Sequence, residues 1–170
     1  MRNFGILSSL IFLTACYAKE FHEPGKVSIE KRPTEIEIAS GFEKTWAAVE
    51  QTFSKFPIER KEEDGATSRA YLVTNWIEGK SDLLYSGYDV VRIPYTIRYK
   101  LYVYLSGNSS RSVIRIRNIE DYKGDIVTAG VDFDGSIYTW IRTESSTLKE
   151  ARLLEEIQKL ATDPKFNPSF

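Results

Sequence analysis

The chain has 170 residues, a formal net charge of −1 and one cysteine, Cys16. That balance argues against the basic excess typical of nucleic-acid binders, and a lone cysteine excludes both an intrachain disulfide and a thiolate metal cluster. Once the amino-terminal segments are set aside, the length suits one domain around one core.

Residues 1–15 read as an export signal. Met1-Arg2-Asn3 supplies a positive start, Phe4 to Leu13 an apolar run, and Leu13-Thr14-Ala15-Cys16 a small-residue end. The run is too short for a transmembrane helix, which needs about 20 residues. The last four residues resemble the lipobox of bacterial lipoproteins. The resemblance implies cleavage before Cys16, a diacylglycerol thioether on its sulfur and a fatty acyl chain such as palmitate on the new amino group. The competing reading is an ordinary secretory signal that happens to end in cysteine. Tyr17 and Ala18 follow the cysteine instead of the aspartate that retains many lipoproteins in the inner membrane. The expected location is therefore the outer membrane, with the domain facing the periplasm and the lipid as its only membrane attachment. Residues 16–33 are polar, contain Pro24, Gly25 and Pro33, and read as a flexible tether. The lone histidine, His22, is a solvated residue of that tether.

The folded domain is expected over residues 34–163, with 164–170 as a tail. Thr34 to Ile38 alternates as a strand. Ser40 then looks like a helix cap completed by Glu43, and Phe42, Trp46, Val49 and Phe53 share one face of the helix behind it. Strands follow at 57–61, turning at Glu63-Asp64-Gly65, and at Ala70 to Ile77. Tyr95 to Leu105 is the clearest strand: Ile97, Tyr99, Leu101, Val103 and Leu105 face one way, and Arg98, Lys100, Tyr102 and Tyr104 the other. Gly107-Asn108 turns it into a returning strand over Ser112 to Ile119. Ile126 to Phe133 is a further strand candidate. A last helix runs from about Thr147 to Ala161, capped by Thr147 with Glu150 and stopped by Asp163-Pro164. The order β-α-β(n)-α implies an α+β fold, an antiparallel sheet with two helices packed on one face.

No catalytic constellation, cofactor motif or metal-ligand spacing emerges, so the expectation is a non-enzyme without a cofactor. Asp132-Phe133-Asp134-Gly135 is a fragment of a calcium loop without the later ligands, and reads as a turn. Glu120, Asp121 and Asp125 read as an acidic loop surface. The strand face of Arg98, Lys100, Tyr102, Tyr104, Arg115 and Arg117 mixes bases with aromatics, for which ordinary cross-strand pairing is the first explanation and protein or glycan contact the second. Leu83 to Tyr95 is apolar yet interrupted by Gly87 and Pro94. It is either an edge strand tucked against the core or an exposed partner surface. In the second case Leu84, Tyr85 and Tyr88 are the contact residues.

The arrangement resembles the helix-grip domain of BamC-like (NlpB-like) outer-membrane lipoproteins. The matching features are the tryptophan helix after Ser40, the Glu-Asp-Gly turn, the strand ending Leu72-Val73-Thr74-Asn75-Trp76, and the pair Ile97-Arg98-Tyr99-Lys100-Leu101 with Val113-Ile114-Arg115-Ile116. The terminal helix beginning Leu148-Lys149-Glu150-Ala151, after Trp140, completes them. BamC has two such domains and a long unstructured amino-terminal segment, whereas this chain has room for one domain and a modest tether. The resemblance implies an interaction module with an envelope protein partner, accessory to outer-membrane β-barrel assembly. The alternative is a carrier that holds a lipid or other apolar ligand between sheet and carboxy-terminal helix. Large residues such as Trp46, Phe53, Trp76, Tyr99 and Trp140 favour a filled core over a carrier's cavity.

Cys16→Ala should abolish palmitate incorporation and leave either precursor or a soluble periplasmic form. Labelling equal to wild type would eliminate the lipid assignment.

Overall fold

In the computed structural model, which describes residues 24–86, 92–125 and 138–167, the elements follow in chain order. They are β1 (Gly25–Lys26), β2 (Glu35–Ile38), α1 (Phe42–Phe53), β3 (Ile58–Asp64), β4 (Arg69–Thr74), β5 (Ile77–Ser86), β6 (Ile93–Gly107), β7 (Ser112–Asp125), β8 (Tyr138–Thr143) and α2 (Leu148–Thr162). The fold is mixed α+β, with the eight strands in one antiparallel sheet.

The alternating run from Tyr95 onward becomes the centre of that sheet. β6 and β7 form a long hairpin, in register from Ile97↔Tyr122 to Gly107↔Ser112. The Asn108 side chain sets the turn by accepting hydrogen bonds from the amides of Ser110 (2.8 Å) and Arg111 (2.9 Å). The outer edge of β6 takes β4 and β5 one after the other, and the outer edge of β7 takes β2 and β8. β3 lies outside β4, and β1 outside β5. At either end, the sheet is therefore a row of strands centred on the same hairpin.

Period-2 alternation puts Leu101, Val103 and Leu105 of β6 on one face with Ile114 and Ile116 of β7 and Ala70 and Leu72 of β4. These residues join Ile38, Phe42, Trp46, Val49 and Phe53, together with Leu153, Leu154, Ile157 and Ala161, in one buried hydrophobic cluster. Both apolar helix stripes expected from the 3.6-residue period thus lie in the core.

The helix starts differ from expectation. Gly41, not Ser40, is the N-cap of α1, and no side chain caps it. A Cβ at Gly41 would lie 2.6 Å from the carbonyl oxygen of Ser109, so the close approach of the β6–β7 turn requires glycine there. Ser40 instead offers its carbonyl to the Ser112 hydroxyl at 2.8 Å, tying the helix entry to β7. Thr147 does precede α2, but in a left-handed conformation and without a side-chain cap. Its hydroxyl accepts the Arg32 amide at 2.7 Å, while the hydroxyls of Ser145 and Ser146 accept the amides of Thr147 and Leu148.

Other boundaries also move. β7 continues to Asp125, so Glu120 and Asp121 are buried strand residues and not a loop surface. The end of the expected tether is docked: Gly25 and Lys26 pair with Tyr85 and Leu84, and Lys26 and Lys31 both reach Glu144. Trp76 does not fill the core; it is 39 % exposed, between β4 and β5. The expected strand over residues 126–133, the Asp132 turn, Cys16 and Tyr88 lie outside the described residues. No helix among the described residues is long and apolar enough to cross a membrane.

Trp46 is 3 % exposed, and its indole N–H has no acceptor. Trp46→Ala should cost about 3–5 kcal/mol in urea unfolding. Trp46→Phe, which keeps a ring and removes the unpaired donor, should cost clearly less. Equal losses in the two variants would contradict this packing.

Candidate functional site

The sequence singled out Leu84, Tyr85 and Tyr88 as partner contacts, and the structure separates the two that it describes. Leu84 is 5 % exposed. The hydroxyl of Ser81 accepts the amides of both Leu83 and Leu84, in a stretch where the β5–β6 register shifts. That irregularity lets two successive leucines be buried, so Leu84 is not a surface anchor. Tyr85 is half-buried and stacks under Arg92, whose guanidinium lies 4.9 Å from the ring centre. Beside it, Ile93 pairs with Ser86 and is 56 % exposed. Apolar surface does emerge at this end of the sheet, carried by Ile93 instead of Leu84.

The mixed basic and aromatic face is largely charge-paired. Lys100 pairs with Glu59, Arg115 with Glu35, Arg111 with Glu37, and Arg98 with Asp121. The register sets Glu78, Arg98, Asp121 and Arg142 in one line across β5, β6, β7 and β8, with alternating charge. Asp121 is shared by Arg98 at 2.9 Å and Arg142 at 2.7 Å. The Arg98 guanidinium lies over the rings of both Trp76 (4.4 Å) and Trp140 (4.9 Å). One buried carboxylate thus fixes an arginine, and the arginine fixes two indoles, through contacts worth about 0.5–2 kcal/mol each. Cross-strand pairing, the plainer of the two readings of this face, accounts for most of its charges.

A second polar group lies where α2 begins. Glu120 is 1 % exposed, and Glu150 is buried as well. The Asn118 amide donates to Glu120 at 2.6 Å and to the Ser145 hydroxyl at 3.2 Å, and that hydroxyl donates to Glu150 at 3.0 Å. Lys149 bridges Asp82 at 2.6 Å and Glu120 at 3.5 Å. Burial pushes the Glu120 carboxyl above its usual range against the pull of Lys149, and burial likewise raises the Tyr99 phenol. The arrangement locks the start of α2 onto β5 and β7. No cluster of His, Cys, Asp and Glu among the described residues has the make-up of a metal site. Local sequence does not reveal this group, because its bonds join residues up to 67 positions apart.

The raised Glu120 carboxyl gives a signed prediction. The folded protein keeps a proton that the unfolded chain has already released, so this residue's contribution to stability falls as pH rises from the unfolded value, about 4.3, through the folded one. Relative to wild type, Glu120→Gln should therefore gain stability over that window and level off above it. Urea unfolding of both proteins across pH tests this, and a difference independent of pH would contradict it.

No protein family, no curated protein and no solved structure matches this chain.

Proposed function

We propose that the protein is an outer-membrane lipoprotein, anchored through lipid on Cys16, whose domain is a non-enzymatic interaction module. The resemblance to BamC-like domains suggests an accessory role in the assembly of outer-membrane β-barrel proteins. In this reading the domain is a helix grip, with α1 and α2 on one face of the sheet. The shared core of Trp46, Phe53, Leu154 and Ile157 with the strand residues supports that arrangement.

The observation that carries the module reading is the exposed end of the β5–β6 pair. Ile93 projects into solvent beside the half-buried Tyr85, and Pro94 pairs with that tyrosine. A few apolar or aromatic anchors commonly dominate an interface, at about 2 kcal/mol or more each. A carrier needs an open cavity of several hundred Å³. Leu154 and Ile157 of α2 are instead packed into the same cluster as Leu101, Val103 and Ile116, which favours the module over the carrier.

The test uses the full chain in a diderm bacterium, with a photo-crosslinking amino acid in place of Ile93 and, separately, of the exposed Arg152 on α2. The protein should sediment with outer membranes, and position 93 should crosslink to a component of the β-barrel assembly machinery that position 152 does not reach. Sedimentation with inner membranes, or identical products from both positions, would overturn the proposal.

A further inference from the structure

The register lines up five side chains straight across the sheet: Glu62 of β3, Tyr71 of β4, Tyr104 of β6, Arg115 of β7 and Glu35 of β2. Adjacent strands lie roughly 4.8 Å apart, so the row spans about 19 Å. It borders an open depression of about 1240 Å³. The two tyrosines hold its centre, with ring centres 5.0 Å apart and planes inclined by 40°. Tyr104 is 45 % exposed, and Val113 next to it is also open to solvent. Either end of the row is closed by an ion pair, Arg60–Glu62 on one side and Arg115–Glu35 on the other.

These features restrict what can bind. Four carboxylates and three guanidiniums line the depression, leaving it close to neutral. A polyanion such as nucleic acid draws its affinity from uncompensated bases, and two of the three guanidiniums here are already paired with glutamate. A peptide adding as a strand needs an open sheet edge, whereas the tyrosines at the centre of the row lie on β4 and β6, whose backbones are paired on both sides there. What remains is a ligand that is flat and apolar on one side, rich in hydroxyls at its rim and without net charge. Exposed ion pairs contribute only about 0–1 kcal/mol to folding. To a ligand, however, each offers planar donors and acceptors side by side.

We propose that the Glu62–Tyr71–Tyr104–Arg115–Glu35 row is a binding site for a neutral carbohydrate chain. The C–H face of a sugar ring lies on Tyr104 and Tyr71, and its hydroxyls bridge to the arginine–glutamate pairs at either end. The site uses residues of β2, β3, β4, β6 and β7 alone, so it stands or falls independently of the lipid on Cys16 and of the surface at Ile93.

The test is calorimetric titration of the full chain with neutral hexasaccharides of β-linked N-acetylglucosamine, glucose and mannose. A polyoxyethylene detergent avoids competition from sugar-headed ones, and each titration is run at low and high salt. At least one hexasaccharide should bind with an affinity indifferent to salt. Tyr104→Ala should weaken it about tenfold or more, the loss expected of a central anchor, and Tyr104→Phe should retain it. Should Tyr104→Ala fail to fold, Arg115→Ala, at an exposed pair outside the core, must show the same loss. No binding across the panel, binding that fades with salt, or affinity unchanged in the folded variants would overturn the proposal.

Discussion

Everything in this fold depends on the register of the β6–β7 hairpin. Each of its two outer edges carries two further strands in succession, so the hairpin is the reference to which four other strands are indexed. A slip of one residue would turn Leu101, Val103, Leu105, Ile114 and Ile116 toward the charged face and bring Arg98, Tyr102 and Arg115 into the hydrophobic core. Asn108 guards against this from the turn. The tie from Ser40 to Ser112 guards against it from α1. The close seat of Gly41 against Ser109 makes the helix entry and the hairpin turn one structural unit.

The same indexing organises charge. Along β7, Glu120 and Asp121 are neighbours in sequence but point to opposite faces of the sheet, and each meets different chemistry there. Glu120 is buried under Lys149 and the first turn of α2, where desolvation outweighs the nearby cation. Asp121 is paired with two arginines, Arg98 and Arg142, and the first of them lies over the indoles of Trp76 and Trp140. A buried carboxylate stripped of its partners costs several kcal/mol. Both residues therefore help specify where β8 and α2 come to rest.

The legibility of the fold follows the range of its interactions. The helix stripes and the 95–119 hairpin rest on periodicity within a dozen residues, and both were readable from the sequence. The buried acids of β7 were not, because Glu-Asp-Tyr-Lys-Gly-Asp has the composition of a loop. Its burial depends on Lys149, Arg98 and Arg142, which are distant in the chain. Ser40 is a good capping residue by chemistry, yet steric approach of a distant turn selected Gly41. Leu84 was a surface anchor in only one of the two readings of its segment, and a local irregularity in β5 places two consecutive leucines inside. The tyrosine row was visible only as scattered aromatics, since its alignment needs the register of five strands at once.

The short pairing of Gly25 and Lys26 with β5 bears on the geometry of the proposed lipid attachment. With Cys16 held at a bilayer, only the segment up to Gly25 separates lipid from folded sheet. Even fully extended, those nine steps reach about 30 Å, roughly half of what a free segment to Pro33 would allow. Under the proposed anchoring, the β1–β5 edge would stay within that reach of the lipid headgroups, and the domain would be leashed in a thin layer above one leaflet. A partner of the anchored domain would then have to be found within that layer, at the effective concentration that so short a leash imposes.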